Sequence, residues 1–175
     1  MDALQEYNIP FVGLKLGKHH FHYHIDDRFF TTYKYHDFNK IDCEVAISFT
    51  KKSTLLELIF SIKGKVSLNC DTTNEPYEQL ITNTFNLIVK FGEFFNDDDD
   101  EVLILPHTAY QVNVSQYIYE TIVLALPIKR EHPGIKDGTL QSKVLDKLRE
   151  LEVKKTKQRD PRWDKLNELL TSKKE

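Results

Sequence analysis

LLELIFSIKGKVSLNCDTTNEPYEQLITNTFNLIVKF, residues 55–91, reads as two strands joined by a turn. Leu56, Leu58, Phe60, Ile62, Val66 and Leu68 hold alternate positions, a spacing that puts side chains on one face of a pleated strand. Tyr77, Ile81, Phe85, Leu87, Val89 and Phe91 line one face of the second. Between them DTTNEP is rich in turn formers, so the spacing predicts a long antiparallel hairpin. Gly64 is the expected bulge or twist point of its first arm.

The same period extends upstream. Ile41, Cys43, Val45, Ile47 and Phe49 alternate, and Phe21, Tyr23 and Ile25 alternate with His20, His22 and His24. Downstream, residues 96–101 read as an acidic loop and VLIL, 102–105, as a short strand. The period then changes. Ile118, Ile122, Ala125 and Leu126 share a helical face, with Ser115 as N-cap and Pro127 as stop. HPGIKDG, 132–138, reads as a loop, and a second helix over about 139–152 aligns Leu140, Val144, Leu148 and Leu151. KKTKQR has no apolar period and reads as a linker. In the last segment Asp160 caps a short helix, Pro161 suits its first turn, and Trp163, Leu166 and Leu170 share a face. The fold class expected is α+β: a mainly antiparallel sheet domain with one or two packed helices and a C-terminal helical tail. The β-rich domain is placed at 1–138 and the basic tail at 139–175.

Composition limits the function. With 40% hydrophobic residues in 175, the chain can bury a core. The longest apolar run, 122–126, is too short to cross a bilayer, so no membrane association is expected. MDALQEYNIP lacks the basic and apolar regions of a signal peptide. Two cysteines on expected strands give no disulfide framework, and a soluble, reducing, cytoplasmic setting is expected. No phosphate-cradling glycine loop, dinucleotide fingerprint or nucleophile motif occurs, so the expectation is a non-enzyme without a cofactor.

Three clusters invite chemistry. His20, His22 and His24 resemble a ligand set, yet along one strand they spread over about 13 Å and read as a solvent-facing polar stripe. NDDDDE, 96–101, lacks the spacing and turn glycine of a calcium loop. Seven aromatics between positions 21 and 38 offer either a base-stacking platform or, as preferred here, core filling. No metal site is assigned.

Charge is unevenly spread. Residues 129–175 carry 14 Lys+Arg and 9 Asp+Glu, a net of +5; residues 1–128 carry the remaining 10 and 18, a net of −8. Lys154, Lys155, Lys157, Arg159 and Arg162 are the candidate RNA-binding residues, next to a partner-docking anchor of Trp163, Leu166 and Leu170. The basic run reads equally as a hydrated linker, and the two readings stand even.

Three ordered segments resemble the YceD-like family, bacterial factors with plastid relatives needed for accumulation of large-subunit ribosomal RNA. KGKVSLNCDTTNEPYEQ is similar to its strand, cysteine and turn. YIYETIVLALPIKREH is similar to its helix with a Leu-Ala-Leu-Pro end, and DPRWDKLNELL to its C-terminal box. The resemblance implies a non-catalytic ribosome-biogenesis factor whose partner is 23S ribosomal RNA or a large-subunit ribosomal protein. Many relatives carry Cys-x-x-Cys at the turn and further cysteines after the proline, a candidate zinc set. Here Cys70 matches the first position, Thr73 fills the second, and only His132 follows Pro127 as a soft ligand, so no metal is carried over. Two functions follow as expectations: an RNA-binding assembly factor working through the basic tail, or an adaptor whose acidic body chaperones a basic ribosomal protein. A metal-dependent enzyme built on the histidine stripe ranks third.

Overall fold

The computed structural model describes residues 4–151. Contacts divide the chain into two units, Met1–Leu140 and Gln141–Glu175. In chain order the first unit contains β1 (Asn8–Pro10), β2 (Gly17–Asp26), α1 (Asp27–Thr32), β3 (Lys40–Lys51), β4 (Leu55–Asn69) and β5 (Pro76–Gly92). It continues with β6 (Asn96–Asp99), β7 (Val102–Pro106), β8 (Gln111–Asn113), α2 (Ser115–Leu124) and α3 (Pro133–Lys136). The second unit holds α4 (Lys143–Leu151), which starts later than the 139–152 expected and leaves Leu140 outside it.

A six-stranded sheet in the order β2-β3-β4-β5-β7-β6 dominates, and β1 pairs with β8 in a small second sheet. The β4–β5 hairpin is continuous from Leu55↔Lys90 to Asn69↔Pro76, and the turn, expected at 71–76, occupies 70–75. Its inward residues Leu56, Leu58, Phe60, Ile62, Val66 and Leu68 are all buried, as are Ile41, Cys43, Val45, Ile47 and Phe49 of β3. Burying each large apolar side chain contributes on the order of 2 kcal/mol, so this one face dominates the stability. α2 covers that face at β4 and β5 through Ile118 and Ile122. The α+β class is therefore observed.

Several local expectations are corrected. Gly64 is neither a bulge nor a break, because Cys43↔Gly64↔Ile81 stay in register. Its role is close approach: a Cβ there would lie 2.4 Å from both the Asp42 carbonyl oxygen and Cys43 Sγ. The acidic loop contains a strand, β6, paired with β7. Its aspartates tolerate this because an outermost strand needs one neighbour and no apolar face. β7 runs parallel to β5, Ile88↔Val102 to Gly92↔Pro106, since β6 carries the chain back before it re-enters.

α1 interrupts the strands unforeseen. The Asp26 carboxylate accepts the Arg28 N–H at 2.9 Å and caps it, and Asp27 Oδ1 accepts the Ile41 N–H at 2.7 Å. In α2, Ser115 is the first helical residue rather than the cap; Asn113 Oδ1 accepts its N–H at 3.0 Å. The expected 132–138 loop holds a single turn, α3, where His132 Nδ1 accepts the Gly134 N–H at 3.0 Å. The aromatics at 29–38 fill the core: Phe29 and Phe30 are buried, and Tyr33 stacks on Tyr119 of α2 with centroids 4.3 Å apart.

Candidate functional site

Lys154, Lys155, Lys157, Arg159, Arg162, Trp163, Leu166 and Leu170 lie outside the described residues. What the structure does build is a junction, a groove and an open sheet face.

The junction forms at the hairpin turn. Cys70 directly follows β4; its N–H bonds the Glu75 carbonyl at 2.9 Å, and its own carbonyl accepts the Asn74 N–H at 2.8 Å. Asn74 sits at φ 58, a left-handed position that asparagine tolerates, which lets so short a turn close. The His132 N–H donates to Cys70 Sγ at 3.4 Å, and the His132 ring packs edge-on to Tyr77. Burial pushes the Cys70 thiol up, but hydrogen bonds from the Thr73 hydroxyl and the N–H groups of His132, Thr73 and Thr72 outweigh it, so the thiol is lowered. Cys43, deep in the sheet, is pushed up to about 12 by burial and then by Asp42.

Arg130 ties this turn to a second loop. Its N–H donates to Asp71 Oδ2 and its carbonyl accepts the Asp71 N–H, both at 2.8 Å. Its Nη1 donates to the Asp37 carbonyl at 2.9 Å, and its Nη2 pairs with the Asp37 carboxylate. That hydrogen bond holds the Asp37 carboxyl below its usual range, against a smaller opposing effect of burial. Three segments far apart in sequence thus meet at one residue, Arg130, through its guanidinium to Asp37 and its backbone to Asp71. No sequence pattern flags this, since spacing carries no information over such separations.

The donors at the junction do not fit zinc. His132 Nδ1 is occupied by Gly134, Asp71 by Arg130, and Glu131 pairs with Lys129 and Lys136. Among the described residues no group of three His, Cys, Asp or Glu is placed to hold a metal. The Arg130 clamp and the Cys70–His132 contact tie these loops together instead.

The groove lies beside α2. A hollow of about 550 Å³ is walled by Phe85, Tyr119, Val123 and Leu124 and rimmed by Asp100, Glu101 and Glu120. A smaller one of about 270 Å³ shares Asp100 and Glu120 and adds Phe95, Asp97, Asp99 and Tyr117. Burial, helped by Asp97 and Glu120, pushes the Tyr117 hydroxyl up to about 12. Among the described residues no lysine or arginine forms an ion pair with these carboxylates.

On the open face His20, His22 and His24 are exposed in a row along β2, as a solvent-facing stripe should be. His24 approaches Asp42 at 3.7 Å and Glu44 at 3.8 Å, and His132 is committed at the junction.

With this geometry in place, one comparison decides the family. The model of the large ribosomal RNA subunit accumulation protein YceD matches residues 58–170. The chain belongs to the YceD family. Neither a curated protein nor a solved structure matches it. The YceD match takes in most of the hairpin, α2, the Cys70, Asp71 and Arg130 side of the junction and the basic segment at 154–162, and leaves Asp37 outside. No helix among the described residues is long and apolar enough to cross a membrane.

Proposed function

We propose that the protein supports accumulation of large-subunit ribosomal RNA by binding, without catalysis, in the cytoplasm. The family match over residues 58–170 carries this reading. Charge assigns the RNA contact to the tail. Phosphates are repelled by a body of net −8 and attracted by Lys154, Lys155, Lys157, Arg159 and Arg162. Trp163, Leu166 and Leu170 supply the apolar anchor of a short helix that is marginal alone and needs a receiving surface. Truncation after Glu150 tests the reading. Salt-sensitive binding to large-subunit RNA should disappear, and unchanged binding would remove the tail from the mechanism.

A second reading is favoured by the groove beside α2. Its carboxylate rim and aromatic wall suit a lysine- or arginine-rich segment of a ribosomal protein. Pull-down from nuclease-treated extract separates the two: a ribosomal protein retained without RNA, and lost on Glu120→Lys, favours the adaptor.

A further inference from the structure

The sheet ends on one side at β2, a ten-residue strand that pairs, among the described residues, with β3 alone. Among the described residues nothing pairs with its outer edge. A long unpaired edge presents a row of free N–H and C=O groups, a template for another strand.

Its sequence selects which strand. KHHFHYHID, 18–26, is self-complementary about its centre, His22. Laid antiparallel to a second copy with His22 opposite His22, Lys18 falls opposite Asp26 and His20 opposite His24 on the open face. On the core face Phe21 falls opposite Tyr23, and His19 opposite Ile25. Each Lys18 thereby meets a carboxylate, twice per pair. Lys18 has no ion-pair partner among the described residues, and Asp26 Oδ2 has only a long 3.9 Å contact to Arg28 Nε. The half-buried rings of Phe21 and Tyr23 each gain an aromatic cross-strand neighbour. Slipping the register by one residue would set exposed histidines against core-facing rings. A slip of two keeps the faces but sets Lys18 opposite His24, or Asp26 opposite His20, so the two-fold at His22 is the alignment that keeps both faces and pairs Lys18 with Asp26.

We propose that β2 pairs with β2 of a second copy of this chain about a two-fold axis at His22, extending the sheet across a homodimer. The pairing does not depend on the RNA reading. It would add to that reading by bringing two basic segments into one particle.

The two-fold axis dictates the test, because residue 22 meets itself. Sedimentation of the full chain from micromolar to millimolar concentration should show twice the 20.6 kDa chain mass. His22 is exposed, so His22→Glu and His22→Lys should both keep the native circular dichroism spectrum. Each should weaken the dimer at least tenfold, because either charge faces its like. Mixing the two variants should restore a dimer containing one of each. Under mild oxidation His22→Cys should crosslink two chains, while His20→Cys, whose opposite residue is 24, should not. A chain that stays monomeric throughout overturns the proposal. So does a dimer indifferent to both charged variants, or equal crosslinking from positions 20 and 22.

Discussion

Arg130 and Asp37, separated by 93 residues of chain, are joined through both the side chain and the backbone of the aspartate. With the reciprocal Arg130–Asp71 backbone bonds, this contact locks the loop after α2 onto the hairpin turn and onto the loop after α1.

Removing the guanidinium with Arg130→Met should therefore cost about 1 kcal/mol near neutral pH. That is modest for a charge-assisted pair, because Asp37 is 57% exposed and solvent screens it. The pH dependence follows from the lowered Asp37 carboxyl. Its contribution is present above the usual 3.8 and is lost as pH falls through the depressed value. The gap between wild type and variant should narrow in acid without closing, since the bond to the Asp37 carbonyl does not titrate. Thermal unfolding at a series of pH values measures this, and a gap independent of pH would contradict it.

Gly64→Ala should destabilise by about 3 kcal/mol, because its methyl group would overlap Cys43 Sγ and the Asp42 carbonyl within an in-register sheet. Adding Cys43→Ala should recover only part of the loss, since the carbonyl clash remains. Urea unfolding of the single and double variants reads the coupling directly.

The two thiols should react in order. Cys70 is lowered by its hydrogen bonds, whereas Cys43 is pushed up to about 12. A chromogenic disulfide reagent added to native protein should therefore modify Cys70 first, and Cys70→Ser should delete that phase. Faster reaction at Cys43 would contradict the burial of its strand.

What was legible in the sequence is what period and turn chemistry encode. Leu56 to Leu68 and Ile41 to Phe49 alternate because one face of the sheet is covered and the other is open, so their inward residues could be named from spacing alone. α1 and α3 were not legible, being six and four residues long and too short to show a helical period. β6 hid behind its aspartates, whose low strand propensity is tolerated at an edge. The parallel β5–β7 pairing is a matter of strand order, which local pattern does not carry. Arg130, Asp37 and Asp71 were missed for the same reason: their bonds join positions whose separation leaves no periodic trace.

The central claim is that RNA is engaged through five basic residues of the tail. The most direct measurement is the salt dependence of binding between the full chain and single-stranded segments of large-subunit ribosomal RNA. It is made beside a variant with Lys154, Lys155, Lys157, Arg159 and Arg162 all changed to Gln. If the five engage phosphates, the log–log slope of affinity against salt should be shallower in the variant by about 3.5. Equal slopes in the two proteins would contradict the account.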